Sequence, residues 1–177
     1  MRKIIYVILF LVINIQVAKA QNQSIIFMGK NITFGTSSSD FISTNSDFKL
    51  YNDENKFDNI KVYRKYNEGP AAYGNRYFSK ISFKFYNDKL FEIYIHNFGA
   101  PNEYVKIVEN LLNQFIVIKE KSSEDKDDDE GVWWYQELIK DSLKGTYDVA
   151  DGDGEIFICN DTEILNEVLK KYPDYGK

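Results

Sequence analysis

The chain has 177 residues with 22 basic and 27 acidic side chains, one histidine and one cysteine. A net charge of −5 argues against a nucleic-acid or anionic-lipid surface, because both partners demand basic charge. A single cysteine excludes an internal disulfide, and a single histidine excludes any metal site built on two.

Arg2 and Lys3 precede an unbroken apolar run from Ile4 to Ile13, and Val17-Ala18-Lys19-Ala20 closes it with small residues before Gln21. That order predicts a cleaved secretory signal peptide over residues 1–20. The apolar stretch is too short for a spanning helix, which needs roughly 20 residues. The expected product is a secreted or periplasmic protein with no membrane span, a single domain over residues 21–177. Three of the 22 basic residues fall in the leader, so 19 remain against 27 acids, a net −8. Of the 28 aromatic residues, 26 remain, enough large side chains to build a core without staples.

Ser24 to Phe34 holds two short apolar runs separated by Gly29-Lys30-Asn31, which predicts a hairpin. Gly35 ends it, and the serines before Asp40-Phe41-Ile42 are helix caps, predicting a short helix over about 37–44. Residues 46–58 are polar and turn-rich, 59–66 are strand-like, and 68–75 read as a loop. Ile81, Phe83 and Phe85 alternate with polar neighbours, Asn87-Asp88 is turn chemistry, and Phe91, Ile93 and Ile95 alternate again. A plain two-residue turn pairs Phe83 with Glu92 and sets a carboxylate on the apolar face. The expectation is therefore a three-residue turn or a bulge that pairs Phe85 with Phe91 and Phe83 with Ile93. Lys84, Tyr86, Glu92, Tyr94 and His96 then share the other face.

Pro101 opens a helix whose stripe is Tyr104, Val105, Val108, Leu111, Leu112 and Phe115. Strands are predicted at 116–118, 133–139, 145–149 and 155–159, with a solvated acidic loop at 120–130. Asn160, with Glu163 three residues on, reads as the cap of a last helix that ends at Tyr172-Pro173. The fold class is α+β: an antiparallel sheet with about three helices packed on one face, in two helix-plus-four-strand units.

Gly35-Thr36-Ser37-Ser38-Ser39-Asp40-Phe41 resembles the opening of beta-lactamase-inhibitor-like exported domains, a glycine, small polar residues and a helix. Phe83-Lys84-Phe85-Tyr86-Asn87-Asp88-Lys89-Leu90 resembles the hairpin that follows, and the element order extends the likeness over most of the chain. The Gly-Pro that commonly follows the first helix of such domains is absent near Thr44. The resemblance implies a binding, inhibitory or envelope-assembly module without catalytic residues.

The residues themselves leave three functions open. Tyr86, Tyr94 and His96 on one sheet face, with one of the adjacent Trp133 and Trp134, predict a recognition surface for a protein or glycan. His96 and Cys159 are the only base–thiol pair available to a thiol enzyme or hydrolase. The third reading is a structural envelope protein with no ligand. Asp148, Asp151, Asp153 and Glu155 around Gly152 and Gly154 suit calcium or an ordinary hairpin turn. An EF-hand loop from Asp151 is excluded, because Ile156 stands where its glycine belongs. No other cofactor is expected.

Overall fold

The computed structural model describes residues 23–51, 57–70, 76–98, 102–122, 133–150, 153–160 and 164–175. The predicted signal peptide and most of the acidic loop lie outside them. Two strands, β1 (Ser24–Phe27) and β2 (Lys30–Thr33), form the predicted hairpin. Its turn is tighter than expected. Met28 and Gly29 alone make it, both at positive φ (51° and 74°), while Lys30 and Asn31 belong to the strand.

Helix α1 (Ser38–Thr44) starts where the serines place it. The Ser37 hydroxyl accepts from the Asp40 backbone N–H and donates to the Asp40 carboxylate. Three residues inside the polar 46–58 stretch form β3 (Lys49–Tyr51), and β4 (Ile60–Pro70) runs on through 68–70, which the sequence reads as loop. Pro70 is tolerated because β3 covers β4 only from Val62 to Arg64, so no strand on that side needs its missing N–H.

Strands β5 (Arg76–Tyr86) and β6 (Lys89–Phe98) make the central hairpin, followed by α2 (Asn102–Leu112), β7 (Ile116–Ser122), β8 (Trp133–Lys140), β9 (Leu143–Ala150), β10 (Asp153–Asn160) and α3 (Ile164–Lys171). One antiparallel sheet of eight strands takes the order β3-β4-β5-β6-β10-β9-β8-β7. Each of α1 and α2 is followed by a four-strand meander, and the two meanders join through their last strands, β6 and β10.

The register question has a split answer. Asn87 and Asp88, at φ 47° and 63°, form a two-residue turn, and Phe85 pairs with Leu90 rather than Phe91. A bulge at Phe91 then restores the expected pairing of Phe83 with Ile93. Inserting one residue puts Phe91 and Glu92 on the same side, so the carboxylate leaves the apolar face without a longer turn.

The core face of the sheet carries Phe83, Phe85, Ile93, Ile95, Ile156 and Ile158, all buried under the β1–β2 hairpin, α1 and α2. Phe41 of α1 sits 4.5 Å from the Phe83 ring, and Phe48 lies 5.0 Å from it. The segment before α1 is stitched to the central hairpin: Gly35 N–H donates to Leu90 C=O at 2.8 Å, and Leu90 N–H donates to Thr36 C=O at 2.9 Å. Gly35, at φ 84°, makes the bend. The Ser38 hydroxyl and the Lys61 ammonium both bond Asp88, holding its carboxyl below its ordinary range.

The helices do not share one face. Val168 of α3 and Tyr175 beyond it pack with Ile60, Val62, Tyr86 and Phe91, whose side chains lie on the side opposite Phe83 and Phe85. The bulge explains this: Phe91 is an apolar side chain displaced to the second face, and α3 covers it. Among the described residues no helix is long and apolar enough to cross a membrane.

Candidate functional site: the second face of the sheet

Strand pairing lines up the second face in transverse rows. Tyr66, Lys80, His96, Glu155, Asp148 and Tyr135 are successive partners across β4, β5, β6, β10, β9 and β8. The next row runs Arg64, Ser82, Tyr94, Phe157, Thr146 and Glu137, and the third runs Val62, Lys84, Glu92, Cys159, Lys144 and Ile139. A period of two in each strand sends all of these to one side.

At one end this face is closed. Glu92 is only 1% exposed, its carboxylate held by the Lys84 ammonium at 2.5 Å and by the Tyr175 hydroxyl at 2.5 Å. The Lys84 ammonium also stands 5.0 Å from the centre of the Tyr175 ring. Burial, then the charge and hydrogen bond of Glu92, push the Tyr175 phenol far above its ordinary range. Tyr172 donates to the Asp58 carbonyl, and Phe57 packs on both tyrosines. Tyr86 is buried here, with the Lys171 ammonium 6.0 Å from its ring. It is a core residue under α3 and not a contact for a ligand.

Toward the other end the face opens. Tyr94 donates to Glu155 Oε1 at 2.6 Å, and His96 Nδ1 meets the same oxygen at 2.8 Å. An ionised carboxylate only accepts, so Nδ1 carries the proton. The Lys80 ammonium stands 5.0 Å from the Tyr94 ring centre. Partial burial works to raise the Glu155 carboxyl, but the bonds from Tyr94 and His96 outweigh it and the net direction is down. Glu155 remains about half exposed at its side chain, 49%. Arg64 is buried beside this row, bonding Ser82 at 3.0 Å and Tyr66 at 2.9 Å and stacking 4.1 Å from the Tyr51 ring centre.

The remaining candidates separate. Trp134 falls on the core side: its indole donates to Glu120 at 2.6 Å, and its ring meets Tyr147 edge-on at 5.8 Å. It therefore faces away from Tyr94 and His96. The Trp133 side chain lies outside the described residues. Cys159 is buried and pairs with Glu92, whereas His96 pairs with Glu155, four residues along β10. At about 3.3 Å per residue that is about 13 Å, beyond hydrogen-bond reach. Of the four acids, Asp148 and Glu155 are cross-strand partners. Glu155 is engaged by Tyr94 and His96, while one Asp148 oxygen is buried with no hydrogen-bond partner among the described residues. Asp151 and the side chain of Asp153 lie outside the description. Among the described residues no group of three acids, histidines or cysteines is arranged to hold a metal.

Sequence reasoning missed the middle of the face. Lys144 and Thr146 of β9, Phe157 and Cys159 of β10, and Tyr135 and Glu137 of β8 surround a cavity of about 200 Å³. Their alternation is visible in each strand, but the adjacency of β6 to β10, which brings this cavity beside Tyr94, is not. No family model matches the chain, and neither a curated protein nor a solved structure does.

Proposed function

We propose that this chain is an exported, non-enzymatic binding module that recognises a protein or glycan with the open part of its second sheet face. The observation that carries the reading is the contrast along that face. The first core is complete under the hairpin, α1 and α2, and α3 with Tyr175 closes only one end of the opposite side. The rest presents Lys80, Tyr94, His96 and Glu155 already held in place by one another. Pre-organised aromatic and charged groups lose little freedom on association, which is what a recognition surface requires. The separation of His96 from Cys159 argues against the thiol-enzyme reading. The likeness of the Gly35–Phe41 and Phe83–Leu90 segments to inhibitor-like exported domains points the same way, and these segments meet through Gly35, Thr36 and Leu90.

The test is comparative capture from the compartment to which the protein is exported. Wild type, the Tyr94→Ala/Glu155→Ala variant and a Lys49→Ala control on the far edge serve as baits. A partner retained by wild type and control but lost by the double variant supports the proposal. Equal retention by all three refutes it. Mass spectrometry of the exported protein should find a chain beginning at Gln21, and an intact Met1 would refute export by signal cleavage.

A further inference from the structure

We infer that the cavity over β8, β9 and β10 is a subsite for one neutral sugar ring. This rests on the reading of the second face as a binding surface and narrows its ligand from protein or glycan to glycan. The volume is about 200 Å³. A cavity of about 150 Å³ is enough for benzene, so a single pyranose fits and a drug-sized ligand does not. Strand alternation puts Phe157, Thr146 and Tyr135 on the second face, where their side chains line the cavity. Leu138 and Gly145 stand at core-facing positions and meet it with backbone alone. Phe157 is partly exposed and supplies a flat apolar wall. A pyranose has a face made largely of C–H bonds that stacks on such a ring, and hydroxyls around its edge.

Charge and hydrogen bonding select the class of ring. Glu137 is matched by the Lys119 ammonium at 2.6 Å. Lys144 is already engaged within the chain, and the Asp148 carboxylate on the same face of β9 offsets its charge. Glu155 is bonded by Tyr94 and His96 and feels the Lys80 charge. The rim is therefore balanced, and an ionic ligand of either sign finds no counter-charge waiting for it. What the rim holds in excess is acceptors, because ionised carboxylates only accept. Asp148 lies two residues beyond the cavity-lining Thr146 and pairs with both Tyr135 and Glu155. It is partly exposed, yet its Oδ1 is buried with no hydrogen-bond partner among the described residues. A ligand hydroxyl that reaches this under-solvated carboxylate forms a charge-assisted bond. An aromatic or aliphatic side chain of a protein partner fills the volume but brings no such donor. The Tyr94–His96–Glu155 group borders the cavity through Phe157, the β10 partner of Tyr94, so a longer glycan has a polar contact row directly beside the first ring.

The probes are the methyl glycosides of glucose, galactose, mannose and N-acetylglucosamine, each beside its 2-amino and uronate analogues, with benzyl alcohol as the apolar control. They are titrated into the isotopically labelled mature protein and followed by amide chemical shifts, which also report the fold of each variant. At least one neutral glycoside should move a contiguous set of amides at 135–137, 144–148 and 155–159, at lower concentration than its charged analogues. Phe157→Leu keeps the wall apolar but removes the flat face, and Asp148→Asn removes the charged acceptor. Each should weaken that glycoside about 5-fold, and Asp148→Asn should leave benzyl alcohol unchanged. Absence of shifts from every neutral glycoside at about 50 mM, a concentration that reveals even millimolar binding, overturns the subsite. So does glycoside binding that is equal for charged and neutral forms or unaltered by both substitutions. Benzyl alcohol binding in the cavity without any glycoside binding overturns it too, and assigns the cavity to an apolar side chain of a protein partner. The Tyr94→Ala/Glu155→Ala capture experiment reads the wider face independently: a captured protein with no sugar response keeps the binding module and removes the sugar subsite.

Discussion

Two carboxylates on the same sheet face are engaged by the same kinds of partner. Glu92 takes a lysine ammonium and a tyrosine hydroxyl, and Glu155 takes a histidine ring and a tyrosine hydroxyl. What separates them is water. Glu92 is sealed beneath Tyr175, while Glu155 keeps about half of its surface exposed. In the sealed site each hydrogen bond replaces solvation that is no longer available, so the three groups depend on one another. In the open site water stands in for any partner that is removed, so the cluster contributes little to stability and is available for contact. Chemistry that looks equivalent in sequence therefore closes the fold in one place and offers a surface in the other.

The largest effect should come from breaking the sealed group. Glu92→Gln keeps the shape but removes the charge that Lys84 and Tyr175 face. Lys84 is about a quarter exposed, which moderates the loss. The variant should lose about 3 kcal/mol of unfolding free energy, read by urea denaturation. A loss below about 1 kcal/mol would mean that the C-terminal segment is not anchored here.

Tyr175→Phe removes one hydrogen bond and leaves Glu92 Oε2 short of a donor, so about 1–2 kcal/mol is expected. Its pH signature is sharper than its size. The folded phenol titrates above the unfolded one, so the folded state holds the proton more tightly. Stability from this group is complete below the unfolded tyrosine value of about 10 and falls as pH rises beyond it. Wild type should unfold on the alkaline side and Tyr175→Phe should be less sensitive there, measured by circular dichroism between about pH 9 and 12. Parallel alkaline limbs for the two proteins would remove Tyr175 from the account.

How much of this contrast the sequence announces depends on the residue. The alternation from Ile81 to Ile95 gives the core face, and with it the placement of Tyr94 and His96 on the other side. Asn87-Asp88 marks the turn, and the misplaced Glu92 signals the need for a bulge. The bulge position is not legible, because Phe85 fits opposite either Leu90 or Phe91 on local grounds, and stitching of Leu90 to Gly35 and Thr36 decides it. The side taken by α3 follows from that same displaced Phe91, so it too was hidden. Trp134 was ambiguous for a simpler reason: adjacent tryptophans on a strand face opposite ways, and which one joins the core depends on the pairing of β8 with β9. That the cavity of β7 to β10 lies beside Tyr94 required the pairing of β6 with β10, a long-range contact that no local pattern carries.

The smallest stability effect belongs to the open site, and it sharpens the comparison most. Glu155→Gln removes the charge that His96 and Tyr94 share, in a place that water reaches, so the loss at neutral pH should stay below about 1 kcal/mol. The direction of its pH dependence is set. The folded carboxyl titrates below the unfolded one, so its contribution is present above the unfolded glutamate value of about 4.3 and is lost as pH falls through the lower folded value. Wild type and Glu155→Gln should converge in urea stability below that window and differ slightly above it. Binding should respond in the opposite proportion, with capture of a partner lost although the fold is intact. If Glu155→Gln instead costs as much as Glu92→Gln, the open cluster is a second structural clamp, and the recognition surface must be sought in the cavity around Phe157 alone.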